Sequence, residues 1–167
     1  MNVQKRFHNS ARRLPRSTTL AMSGFTLVDL VVVLSIAAIL VSIAAPAFSA
    51  FIASQRASSA ATDLYAALAV ARSEATKRNT NVTLAPATGG WQNGWVVADP
   101  AIDGQNVLIH GALAGAVVTG PGTVVYQRSG RVRGTAPAFA LTISTGDAVA
   151  KRCVAADLSG RPYIQSC

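Results

Sequence analysis

The sequence predicts an α+β chain: a long N-terminal helix, apolar in its first half and amphipathic in its second, followed by a small domain of antiparallel strands. Three observations predict it. No residue between positions 30 and 55 is charged, and 30–48 is almost wholly apolar. Beyond that stretch, small apolar residues recur at three- and four-residue spacing as far as Ala75. From about Asn81 the composition turns to Val, Thr, Gly and Pro, in short apolar runs divided by turn residues.

The first 24 residues are polar and basic, with Lys5, Arg6, Arg12, Arg13 and Arg16 and no acid. They read as a leader rather than part of a fold. They also carry five of the eight formal positive charges of the 167-residue chain. Positive charge just ahead of an apolar span holds that flank in the cytoplasm. Topology therefore accounts for most of the basicity, and the rest is only a weak pointer to nucleic acid. The core at 30–48 is long enough to cross a bilayer as a helix. Pro46, near its far end, is expected to kink that helix, which a membrane setting tolerates.

Past Pro46 the helix need not stop. Ala57, Ala60, Ala61, Leu64, Leu68, Ala71 and Ala75 fall on one face; Ser58, Ser59, Thr62, Asp63, Arg72, Ser73 and Lys77 fall opposite. This spacing marks an amphipathic helix with a narrow face of small residues. Glu74 and Arg78 are spaced as a favourable i, i+4 ion pair. Asn79-Thr80-Asn81 supplies the stop. A helix over 25–78 is about 80 Å long at 1.5 Å per residue. It cannot bury itself in one small domain and needs a membrane, then other helices. The expected organisation is a leader over 1–24, a membrane-spanning segment over 25–49, the amphipathic half over 50–79 and a strand domain over 80–167.

In that last domain the candidate strands are 81–85, 94–97, 106–109, 116–118, 123–127, 138–144, 152–156 and 161–164. The turns between them include Thr88-Gly89-Gly90, Asp103-Gly104, Gly120-Pro121-Gly122 and Thr145-Gly146-Asp147. So many short strands in so few residues imply antiparallel pairing rather than crossover units. No internal repeat is evident. Cys153 and Cys167, both beyond the apolar span, suit a disulfide in an oxidising compartment; two free thiols are the alternative.

The junction Ser23-Gly24-Phe25-Thr26-Leu27-Val28-Asp29, followed by the apolar run, resembles the class III signal of type IV pilins and type II secretion pseudopilins. The resemblance implies cleavage after Gly24 by a membrane prepilin peptidase and N-methylation of Phe25. Pro46 is the twenty-second residue after Gly24, where pilins commonly carry a helix-kinking proline. The family acid at the fifth mature position is usually Glu and is here Asp29. Its implied role is to offset the terminal amine of a neighbouring subunit during assembly. Ala71-Arg72-Ser73-Glu74-Ala75, Lys77-Arg78-Asn79, Trp91, Gly94-Trp95-Val96-Val97, Gly160-Arg161 and the two cysteines resemble the FimT/GspH group within that superfamily. The group implies a long helix packed on a small β-sandwich-like domain, held on the periplasmic side of the inner membrane by one span. It further implies partner pilins contacted through the N-terminal helix. A competing reading takes Ala45-Pro46-Ala47 as an ordinary signal-peptidase site, which would leave a soluble periplasmic protein.

Catalytic chemistry finds no foothold. His110 has no acid or cysteine at a spacing that suggests a zinc site or a triad, and reads as a histidine at a strand end. Asp99, Asp103, Asp147 and Asp157 sit beside turn residues, where Asp bonds local backbone. No phosphate-cradling glycine motif precedes a helix, and Trp91 and Trp95 read as core residues. No enzyme activity, cofactor or metal is expected. One ligand question stays open. Some FimT-type pilins are implicated in DNA uptake through a C-terminal Gly-Arg-x-Arg motif, here Gly160-Arg161-Pro162-Tyr163. Arg161 could contact a phosphate and Tyr163 could stack on a base. Gly130-Arg131-Val132-Arg133, with Arg128 beside it, matches the motif literally but lies on a different predicted hairpin. Those arginines form a compact basic turn able to meet DNA phosphates; a solvated charged turn is the alternative.

Overall fold

A computed structural model describes residues 25–167. The chain divides into two compact units between Ala38 and Ile39, inside one continuous helix, α1, over Leu27–Lys77. Gly24 and the rest of the predicted leader lie outside the described residues.

The start of α1 follows from its sequence. Thr26 is the N-cap: its Oγ1 accepts from the N–H of Asp29 at 3.2 Å. The Asp29 carboxylate in return accepts from the Thr26 N–H at 3.1 Å and from the Thr26 hydroxyl at 2.7 Å. This reciprocal pair is a capping box with Asp in the usual Glu position. Through the first half of α1 the large apolar side chains stand exposed, Leu30 at 58% and Ile43 at 68%. Among the described residues this is the one helix long and apolar enough to cross a membrane. Helix continues through position 46.

In the second half the small-residue face is buried as its spacing predicts. Ala57, Ala61, Leu64, Leu68, Ala71 and Ala75 are fully buried, joined by Ala53 and Ala67. The opposite face departs from the expectation at Ser58 and Arg72, which are half-buried. The helix ends in a Schellman motif. Asn79 takes φ 52°, the Thr80 N–H reaches the Ala75 carbonyl at 3.1 Å and the Asn79 N–H reaches the Thr76 carbonyl at 3.3 Å.

Eight strands follow: β1 Val82–Pro86, β2 Trp95–Ala98, β3 Asn106–His110, β4 Ala116–Thr119, β5 Val124–Tyr126, β6 Ala138–Thr145, β7 Ala148–Ala156 and β8 Pro162–Gln165. They pair antiparallel in two four-stranded sheets, ordered β3-β2-β1-β5 and β4-β6-β7-β8. Each expected strand is present. The largest difference is β7, which begins four residues before the predicted 152. Gly146 and Asp147 form a two-residue turn that zips Thr145 against Ala148, so pairing starts at the turn itself. Alternate residues of each sheet face a common core with the helix: Val82, Leu84, Trp95 and Val97 from one, Phe139, Leu141 and Val154 from the other. Trp91 sits on a single 3₁₀ turn, packs edge-on against Phe139 at 4.8 Å, and donates its indole N–H to the Pro121 carbonyl at 2.7 Å. Cys153 and Cys167 are bonded as a disulfide, their Cα atoms 5.1 Å apart. It ties the edge strand β8 and the chain end to β7.

Candidate functional site

Two surfaces gather the residues singled out by the sequence. The first is the exposed apolar half of α1. Phe25 precedes the capping box and is 89% exposed. Asp29 sits in the first turn, bonded to Thr26, where a carboxylate also meets the positive end of the helix dipole. Proline at position 46 has no N–H to give the carbonyl four residues back.

The second surface is built by two turns of one design. In the first, the Gly130 N–H bonds the Gln127 carbonyl at 2.7 Å and the Gln127 N–H bonds the Arg131 carbonyl at 2.9 Å. In the second, the Gly160 N–H bonds the Asp157 carbonyl at 2.9 Å and the Asp157 N–H bonds the Arg161 carbonyl at 3.1 Å. Both glycines are left-handed, φ 75° and 85°. Both turns read Ser-Gly-Arg, at 129–131 and 159–161. The recurrence of that tripeptide was the available signal for this local repeat. The Asp157 carboxylate rigidifies its turn, accepting from the Ser159 hydroxyl at 2.5 Å and from the Arg161 N–H at 3.0 Å. These bonds, the Ser159 hydroxyl first, hold its carboxyl below the usual range.

The turns touch. The Val132 N–H bonds the Leu158 carbonyl at 3.3 Å, and a Cβ on Gly160 would collide with the Gly130 carbonyl oxygen. Gly130 in turn lies against α1, where a Cβ would be 3.1 Å from Thr76 Oγ1 and 3.3 Å from Arg72 Nε. The two arginine motifs, on separate hairpins as the sequence predicts, thus meet in space at their glycines. Between the turns and the helix is an open cleft of about 460 Å³, lined by Tyr65, Arg72, Ser73, Thr76, Ser129, Arg161 and Pro162 among others. Arg72 is the residue sequence reasoning placed on the solvent face and therefore missed. Under the turns lies Tyr126, fully buried, its hydroxyl without a hydrogen-bond partner among the described residues. Burial pushes its phenol up to about 12, with the Arg72 charge opposing and the Asp157 charge adding to that shift. Arg128, Arg131 and Arg133 are exposed and outside the cleft lining, and Tyr163 is 38% exposed on β8.

Elsewhere Arg78 and His110 have structural partners. Arg78 bridges the helix end to the loop after β2, its Nε 2.6 Å from Glu74 and its Nη1 2.6 Å from Asp99. Hydrogen bonding to Arg78 lowers the Glu74 carboxyl. The Asp99 carboxyl is lowered first by the Ala101 N–H and then by the Arg78 charge. His110 closes β3 as predicted and stacks on Trp95 at 4.1 Å. Its Nδ1 is 2.8 Å from the Gly111 carbonyl and its Nε2 3.4 Å from the Asp63 carboxylate. Among the described residues no cluster of His, Cys, Asp or Glu has the number needed for a metal ion.

A family model described as type II transport protein GspH matches residues 60–160. Two crystal structures of the type IV minor pilin FimU of Pseudomonas aeruginosa share the fold. The first has TM-score 0.57 and 18% identity, covering 67% of this chain and 90% of the pilin. The second has TM-score 0.54 and 19% identity, covering 65% and 92%. No curated protein sequence gives a significant match.

Proposed function

From the premise that the chain belongs to the GspH family of type II transport proteins, we propose that it is a structural subunit of a pilus-like filament, in a type II secretion pseudopilus or a type IV pilus. In this reading it is cleaved after Gly24, N-methylated on Phe25, and held by one span in the inner membrane until assembly. One observation carries the reading. A single helix presents only uncharged residues from position 30 to 55, exposing side chains such as Leu34, Leu40 and Phe48, while its continuation is built into a folded core.

Exposed apolar surface on that scale needs a cover. Lipid supplies it before assembly, and the helices of neighbouring subunits supply it afterwards. The five positive charges ahead of the helix favour a cytoplasmic start, and the Cys153–Cys167 disulfide suits an oxidising compartment beyond the membrane. The test is mass analysis of the N-terminus of protein extracted from membranes. An N-methylated Phe25 is expected. A chain starting at Phe48 would mean that the apolar half is removed as an ordinary signal, and the filament reading would fall.

A further inference from the structure

Among the described residues, Arg72 and Arg161 line one cleft, and neither guanidinium makes an ion pair or hydrogen bond to an acid. Arg72 is moreover half-buried. A charge withdrawn from water without a partner is costly, and a ligand of opposite charge relieves the cost. No carboxylate of the chain lines the cleft, although Asp157, held within its own turn, feels the Arg161 charge. Of its seven acids, Asp29 is bonded to Thr26, Asp63 to His110, Glu74 and Asp99 to Arg78, Asp103 to the Gly104 N–H and Asp157 within its own turn. The seventh, Asp147, is exposed in the β6–β7 turn and does not line the cleft.

We infer that this cleft seats a carboxylate brought by a neighbouring subunit, an Asp or Glu side chain docking between Arg72 and Arg161. The inference rests on the filament reading, because α1 forms one wall of the cleft and subunits that pack along α1 meet it. The remaining lining fits such a side chain. Tyr65 and Pro162 offer apolar wall to its stem, and the Ser129 hydroxyl offers a donor to its head. Guanidinium groups take carboxylates through charge-assisted N–H bonds, as Arg78 does here with Glu74 and with Asp99. A nucleic-acid strand asks instead for a track of phosphate contacts and stacking faces. The exposed arginines that could extend a track, Arg128, Arg131 and Arg133, are not part of the lining.

The test is photocrosslinking of the full-length chain in producing cells. A benzophenone-bearing residue replaces Ser73 in the cleft and, in a separate chain, Val33 in the apolar half. Crosslinked peptides are then mapped by mass spectrometry. Position 73 is expected to capture an acid-containing segment of another pilin-type subunit. Arg72→Glu should lower that yield about tenfold or more, the scale of losing one member of a partly buried charge pair, and Arg161→Glu, at an exposed position, should lower it by a smaller factor. Exchanging the mapped acid for Arg should restore the yield in Arg72→Glu. Arg72→Gln, checked for an intact disulfide and unchanged tryptophan emission, separates lost charge from lost folding. The inference is overturned if position 73 captures no other subunit, captures nucleic acid, or captures a subunit at yields that the charge changes leave unaltered. Capture from position 33 alone would remove the cleft and leave the filament reading standing; capture from neither would remove both.

Discussion

At Gly160 the backbone φ is 85°, and a side chain would run into the carbonyl of Gly130, with Tyr126 Cε1 only 3.0 Å away. Gly160→Ala therefore incurs a left-handed alanine and displaces a neighbouring backbone together, for a loss of roughly 2–4 kcal/mol. Gly122, with no positive φ and nothing within 4 Å of an added Cβ, is the control. Gly122→Ala should change stability by less than about 0.5 kcal/mol. Urea unfolding of the detergent-solubilised chain, followed by Trp91 and Trp95 emission, measures both, and equal midpoints for the two variants would show that the turns do not abut. A sequence shows Gly160 as one turn glycine among many. What singles it out is a contact with a residue thirty positions away, which no local pattern encodes. Arg72 escaped for the same reason. Its helical position predicts solvent, and only the packed turn beside it makes the position half-buried.

Elements were easier to read than contacts. The alanine and leucine spacing of α1 fixes which face is buried, because 3.6 residues per turn leave little choice. Turn residues bracket each of the eight strands. The order β3-β2-β1-β5 was not readable, since it depends on which strands meet after the chain has folded back. The tie between α1 and the loop after β2 shows the limit well. Spacing predicts Arg78–Glu74 but is silent on Asp99, which doubles the bond. Both carboxyls are held below their ordinary values of 4.5 and 3.8. A lowered folded pKa contributes stability that is present above the unfolded value and is lost as pH falls through the folded one. The parent chain should accordingly lose more of its thermal midpoint between about pH 5 and about pH 3 than Arg78→Gln does. Because these groups are solvent-accessible, added salt should narrow the difference. Parallel losses in the two proteins would mean the tie contributes nothing.

For the whole molecule, the proposed filament asks one carboxylate to serve both a folded chain and an assembly. Asp29 is the sole acid in the apolar half of the helix, and within the chain its carboxylate already accepts from both the N–H and the hydroxyl of Thr26. The capping box holds the first turn in shape. A neighbouring subunit's terminal amine, the partner expected for this position in the proposed filament, would meet a carboxylate whose Oδ2 already holds both Thr26 bonds. Both capping bonds fall on Oδ2, and Asp reaches one methylene less than Glu, so in the proposed filament one short carboxylate would serve the cap and the neighbouring amine together. Asp29→Asn separates them. The amide oxygen still accepts from Thr26, so α1 should start unchanged and Phe25 should still be released and methylated. The lost negative charge should nevertheless sharply reduce the share of protein recovered in sheared filaments relative to membranes. Asp29→Glu should restore that share, since it keeps the charge and lengthens the reach. If Asp29→Asn enters filaments as well as the parent does, the carboxylate is a helix cap alone. If it stops processing at Gly24 instead, the acid acts at the peptidase, before any filament forms.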